Sequence, residues 1–330
     1  MTTTTADLPG RFRDREITFK NGITGRNLDI SSASPVNYHQ VLSEPASMPV
    51  LMVDGKLFLV PGHTSETPGP LIIVAPGSMG VADSHVMHAE RFVDAGISAF
   101  VLDSFGARSV TSTVANQTQF SFAASAYDVL TAWQHLAALP EIDERRIGAQ
   151  GHSRGGSAVM MAATRCFADA VIGTDNELCG VLAAYPWSGH QFLDPKIGAT
   201  RLHVLMGDAD EWCSPMQAQA HCQTIRAVGG AATMRLVGKA HHSFDRGTAL
   251  INVAEAKVSP SAPIAFLADN GAFIHPLESE PDPALVDRDI MVYALKNGYG
   301  QTGARLGSHN QGEADLFRDD MMTFWRDVMF

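Results

Sequence analysis

Six short apolar runs, separated by helical patterns, confine this chain to one class of fold. Leu71-Ile72-Ile73-Val74-Ala75 is continuously apolar and stops at Pro76-Gly77. Comparable runs cover 97–102, 146–150, 180–184 and 201–206, with a more mixed one at 232–237. Between them, residues 85–95, 120–138, 155–168 and 215–228 repeat apolar positions at helical spacing. A strand that is apolar on both faces has to be covered on both. Strands alternating with helices therefore predict an α/β fold with a mostly parallel central sheet and helices on both faces. Right-handed crossovers then bring the C-terminal ends of the strands to one edge, where open α/β sheets bind ligands.

No linker, repeat or low-complexity tract interrupts the pattern, so residues 1–330 read as one domain. Residues 1–70 form an N-terminal extension, 71–245 a core, 246–312 an irregular excursion with short helices, and 313–330 a closing helix. In the extension, Val50-Leu51-Met52-Val53 and Leu57-Phe58-Leu59-Val60 flank Asp54-Gly55, the signature of a hairpin turn. In the closing helix, Leu316, Met321, Phe324, Trp325 and Val328 are expected to share an apolar face.

Composition excludes some partners. The 330 residues carry a net charge of −11, the wrong sign for neutralising the phosphates of a nucleic acid or for docking on an anionic membrane. No window has the length of a membrane-spanning helix. The stretch from Met1 to Gly10 lacks the basic and apolar regions of a secretory leader, which leads to the expectation of a cytoplasmic protein. Cys166, Cys179, Cys213 and Cys222 form no CxxC pair and read as free thiols. Cys213 and Cys222, at either end of the start of a helix, are the pair most able to approach. His85 and His88 have the spacing of a metal pair, but the sequence offers no third ligand and no metal is expected.

Chemistry enters at residues 146–156, Arg-Ile-Gly-Ala-Gln-Gly-His-Ser-Arg-Gly-Gly, which join a predicted strand to a predicted helix. Ser153 sits at the joint. A sharp turn there lifts a nucleophilic hydroxyl above the sheet edge, and glycines two residues to either side remove the side chains that would clash. The backbone N–H of Arg154, opening a helix, points at the space where negative charge would develop. A serine needs a base, and the base a carboxylate. After the strand at 201–206 come Asp208 and Asp210, of which Asp210 has the loop length to reach inward. After the strand at 232–237 come His241 and His242, either of which could be the base. The loop Pro76-Gly77-Ser78-Met79-Gly80 supplies a second oxyanion donor, the N–H of Ser78 or Met79.

Taken together, 101–108 (Val-Leu-Asp-Ser-Phe-Gly-Ala-Arg), 139–148, 151–156, 207–212 and 240–245 resemble the dienelactone hydrolase-like branch of the α/β-hydrolase superfamily. The resemblance spans about residues 71 to 245. It implies an α/β-hydrolase fold and aligns the family's acid and base with Asp210 and His242. It departs at the nucleophile, which is cysteine in dienelactone hydrolase itself and Ser153 here, so a lactone substrate is not implied. What is implied is acylation of Ser153 by a small-molecule carboxylic ester and deacylation by water, without metal or organic cofactor. A peptidase or amidase of the prolyl-oligopeptidase type, or a non-catalytic ligand-binding relative, are the alternatives. Near the same edge, Arg108 is a candidate for binding a substrate carboxylate or for a structural ion pair, and Tyr185, Trp187 and Trp212 are candidates for lining an acyl or aryl pocket. A homo-oligomer is left open.

Overall fold

The structure, a computed structural model, describes residues 11–330. The stretch read for a leader lies outside them. The central sheet has eight strands: β1 (Arg26–Ala33), β2 (Val50–Phe58), β3 (Gly69–Ala75), β4 (Ser98–Asp103), β5 (Ile142–His152), β6 (Gly180–Ala184), β8 (Arg201–Gly207) and β9 (Ala231–Val237), with the three-residue β7 (His190–Phe192) lying outside it. Their order is β1-β2-β4-β3-β5-β6-β8-β9, with β1 and β2 antiparallel to their neighbours and the rest parallel. This is the mostly parallel central sheet that the apolar runs imply, in the α/β-hydrolase fold that the resemblance implies.

The order also dictates where the helices go. The crossover from β3 to β4 runs one way along the sheet, through α2 (Asp83–Asp94), after the short α1 (Tyr38–Ser43). The crossover from β4 to β5 runs back past β3, through α3 (Phe122–Ala137). Right-handed connections of opposite direction lie on opposite faces. The reversal at β3 therefore opens a crevice at the C-terminal ends of β3 and β5. Crossovers through α4 (Arg154–Ala163), α5 (Arg165–Ile172) and α6 (Pro215–Ala227) continue in the direction of α3. The apolar stretch 155–168 is two helices because Thr164 turns extended (ψ 122°), and the N–H of Arg165 goes to the carbonyl of Lys196.

The hairpin expected at Asp54-Gly55 is absent from the described structure, and β2 runs straight through it. Asp54 pairs with Asp29 of β1 on one side and Asp103 of β4 on the other, so the segment is interior to the sheet. The two residues serve other ends. The Asp54 carboxylate is buried in ion pairs with Arg11 and Arg13, and Gly55 makes room for the Phe100 ring.

The excursion holds more strand than its sequence suggests. β10 (Ile251–Val258) pairs antiparallel with β14 (Gln301–Leu306). The short β11 (Ala265–Leu267), β12 (Phe273–Ile274) and β13 (Pro281–Asp282) build a second small sheet on β7, and α7 (Asp287–Lys296) lies between. Among the bonds that tie it to the core, Asp287 accepts the N–H of Phe122 (2.6 Å), Asn37 donates to the Leu285 carbonyl (2.8 Å), and Gln217 donates to the Ala262 carbonyl (2.8 Å). The closing helix α8 (Gln311–Met329) buries Ala314, Phe317, Met321, Trp325 and Met329. Leu316, Phe324 and Val328, expected on that stripe, sit half-buried on its flank. Trp325 shares the stripe with Met321 and donates its indole N–H to Gln150 (2.8 Å).

Candidate active site

At the mouth of the crevice, β5 ends in a turn that only glycine neighbours permit. Ser153 has φ 56° and ψ −116°, a conformation L side chains rarely adopt. A Cβ on Gly151 would collide with the Gly155 carbonyl, and one on Gly155 with the backbone of Ala75 and Pro76. The Ser153 N–H is anchored on the Ala184 carbonyl at 2.9 Å. Its hydroxyl thus stands where α4 begins, with Arg154 the first residue of that helix and its amide free of an intrahelical acceptor.

Two loops bring partners to that hydroxyl. After β8, Asp210 is buried, and its Oδ1 accepts the N–H groups of Trp212 (2.8 Å) and Cys213 (2.9 Å). Its Oδ2 lies 2.7 Å from His242 Nδ1, and His242 Nε2 lies 2.9 Å from Ser153 Oγ. An ionised carboxylate can only accept, so Nδ1 carries the imidazole proton and Nε2 accepts from the serine. The rivals point elsewhere. Asp208 is exposed and caps the N–H of Lys239, while His241 packs on His309 (5.1 Å between ring centroids).

The loop after β3 closes the crevice from the other side. Gly77 abuts Ser153 so closely that a Cβ there would be 3.2 Å from the serine Cβ, and Ser78 and Met79 follow it along the rim. The Ser78 hydroxyl donates to Gln117 (2.9 Å) and its carbonyl accepts the Thr113 N–H (2.7 Å), which holds the loop in place.

Two cavities meet at Ser153. One is walled by Phe122, Trp187, Trp212, Val258 and Met291, with Lys257 at its edge. The other is more polar and is lined by His85, His152, Tyr185, Ser243 and Arg246 as well as the Ser78 loop. Trp187 thus stands in the apolar cavity, and Trp212 serves both, stacking on the His242 ring (5.3 Å, 16°). Val258 and Met291 come from β10 and α7, so the excursion forms one wall, a contribution with no motif to announce it.

Two arginine side chains near the site, those of Arg108 and Arg154, are committed to the fold. Arg108 does not face either cavity: buried, it donates to both carboxylate oxygens of Asp128 (2.6 and 3.1 Å), to Ser34 and to two backbone carbonyls. Helix α3 supplies this acid, which lies too far along the chain for sequence to pair them. Arg154 donates to the carbonyls of Gln117, Phe120 and Ser121 and to Ser125 Oγ, and lies over the rings of Phe120 and Phe122. Burial lowers its pKa to about 10, still well above neutrality. Only its backbone is available to a ligand. The four cysteines are free. Cys213 lines the apolar cavity, its thiol pushed up by burial and by Asp210.

Folding does not complete the His85/His88 pair but gathers a different trio around one of its members. His88, His152 and Asp245 present ligand atoms within 4.8 Å of one another. Their polarity is nevertheless wrong for a cation. Gln150 accepts from Trp325 through its oxygen and so turns its NH₂ to His152 Nε2 (3.3 Å). The proton of His152 is thereby placed on Nδ1, which leaves neither ring nitrogen with a free lone pair for a cation. His88 Nε2 donates to Asp245 (3.0 Å), and His85 Nδ1 accepts the Ala82 N–H (2.9 Å). Burial, then Arg246, pushes His85 down to about 3.

A family model of the dienelactone hydrolase family matches residues 58–261, more than half of the chain. The chain belongs to the dienelactone hydrolase family. No curated protein sequence matches it. Among solved structures, it is similar to the dienelactone hydrolase-like promiscuous phosphotriesterase P91 from metagenomic libraries, at 16% identity and a TM-score of 0.44 over 67% of this chain and 85% of that one. A putative dienelactone hydrolase from Klebsiella pneumoniae shares 15% identity, TM-score 0.46, over 67% and 89%. Est1E from Butyrivibrio proteoclasticus shares 14%, TM-score 0.43, over 58% and 86%. Membership makes this chain a member of a hydrolase family. Among the described residues no helix is long and apolar enough to cross a membrane.

Proposed function

We propose that the protein is a serine hydrolase that cleaves small-molecule carboxylic esters through Ser153, His242 and Asp210. One observation carries this reading: an unbroken hydrogen-bonded chain, Ser153 Oγ to His242 to Asp210, at the foot of two cavities and beside a helix N-terminus. In the first half-reaction Oγ attacks the ester carbonyl while His242 Nε2 takes its proton. The oxyanion forms between the N–H of Arg154 and that of Ser78 or Met79. Collapse expels the alkoxide, which takes the proton from the imidazolium, and leaves an acyl group on Ser153. In the second half-reaction His242 activates water against that acyl group, and the acid leaves.

The apolar cavity walled by Phe122, Trp187, Trp212 and Met291 suits the acyl portion, and the more polar one the alcohol. No step calls for a cofactor. Free cysteines throughout support a reducing compartment such as the cytoplasm. The test is turnover of p-nitrophenyl butyrate by the parent and by Ser153→Ala. The reading expects a loss of at least three powers of ten; equal rates would end it.

A further inference from the structure

His242 is held by more than Asp210. Trp212 covers one face of the imidazole, and the Tyr185 ring meets it edge-on at 4.6 Å between centroids. Tyr185 is itself placed with unusual force. It follows β6 with φ +38°, a strained conformation for a non-glycine residue, and its N–H is fixed on the Leu205 carbonyl at 2.7 Å. Its phenol donates to Asp245 Oδ1 (2.7 Å), while Asp245 Oδ2 accepts from His88 Nε2 (3.0 Å). His88 in turn stacks flat on His152 (5.2 Å, 4°), the residue before Ser153.

Asp245 is thus a second buried acid, three residues beyond His242 on the same loop. Burying a carboxylate among a phenol and imidazoles costs far more than an apolar side chain would. Burial pushes the carboxyl up, but the His88 hydrogen bond, then the neighbouring His152, His88 and Arg246, outweigh it and hold the group ionised. One carboxylate therefore ties three pieces together: the loop that carries His242, the strand exit that carries Tyr185, and α2. Every one of these side chains is buried, and the chain of contacts ends on the imidazole.

We propose that Asp245, acting through Tyr185, is a positioning residue that keeps His242 Nε2 aimed at Ser153 Oγ. The inference rests on the reading of His242 as the general base. Tyr185→Phe deletes one oxygen, leaving the ring but not its anchor. Misplacement of a base by a fraction of an ångström is expected to lower kcat about tenfold per titrated active site, with KM within twofold. Asp245→Asn keeps an acceptor for the phenol and should lose less than Asp245→Ala. In a double-mutant cycle, adding Asp245→Ala to Tyr185→Phe should lower kcat less than Asp245→Ala does in the parent, since the phenol–carboxylate link is already broken and only the His88 bond remains to be lost.

The experiment is steady-state turnover of p-nitrophenyl butyrate by the full chain and these variants, with active sites counted by fluorophosphonate labelling. Parental kcat in Tyr185→Phe, or losses that multiply in the double variant, would overturn the proposal. Should Asp245→Ala not fold, Tyr185→Phe and Asp245→Asn carry the cycle. A parent without Ser153-dependent turnover would remove the hydrolase reading itself. An active parent with an indifferent Tyr185→Phe removes only this inference.

Discussion

Replacing Asp210 by asparagine tests the site with almost no change of shape. The carboxylate accepts three hydrogen bonds, two on Oδ1 from the Trp212 and Cys213 amides and one on Oδ2 from His242. An asparagine has one acceptor oxygen. Two backbone N–H groups claim it, so the NH₂ turns to His242 Nδ1. Nδ1 must then become an acceptor, and the imidazole proton moves to Nε2, facing Ser153 Oγ. A base in the wrong tautomer cannot take the serine proton, and loss of the orienting acid in this way costs on the order of 10⁴ in kcat. That is about 5 kcal/mol of transition-state stabilisation. Stability should change little, because the amides keep their acceptor. The assay is kcat for p-nitrophenyl butyrate at pH 7.5 beside a urea unfolding curve for each protein. A loss below tenfold in a fully folded Asp210→Asn protein would refute the tautomer argument and with it the role of Asp210.

Two further predictions concern the fold around the site. Arg108→Ala strands the buried Asp128 carboxylate and should destabilise the protein by roughly 3–5 kcal/mol, while KM and kcat of the folded fraction stay at parental values; a raised KM with unchanged unfolding midpoint would instead place Arg108 on the substrate. Burial alone lowers His221 to about 4, so between pH 6.5 and 4 the unfolded chain binds a proton that the folded one does not, and stability falls with falling pH. Between pH 7 and pH 5 this single histidine should account for about 2 kcal/mol of the loss, and His221→Leu should remove that share from urea unfolding measured at the two pH values; an unchanged difference would contradict it.

What the sequence made legible follows from how local the physics is. The core strands were readable because burial on both faces leaves a continuous apolar run. The Ser153 turn was readable because two glycines are sterically compulsory around it. Asp210 and His242 needed a family resemblance to separate them from Asp208 and His241, since adjacent loop residues differ only in which way the folded loop points them. Asp54-Gly55 misled because the same pair that suits a tight turn also suits a buried ion pair beside a large ring. Arg108 and its acid Asp128 lie in different elements, and nothing local distinguishes a substrate-binding arginine from a paired one. His88, His152 and Asp245 come from a helix, a strand and a loop, and only the sheet order brings them together. The excursion's wall of the apolar cavity was invisible for the same reason: its strands are short and pair at long range, without a run long enough to show a period.

The central claim is that Ser153 carries the acyl group between two half-reactions. Intact-mass spectrometry of enzyme quenched in acid during turnover of p-nitrophenyl butyrate addresses it directly. The account predicts a butyryl adduct, mapped by peptide digestion to Ser153, that accumulates when His242 is replaced by a residue too weak to activate water yet slow acylation persists, and that never forms in Ser153→Ala. Turnover with no adduct on Ser153, or an adduct on another residue, would contradict it.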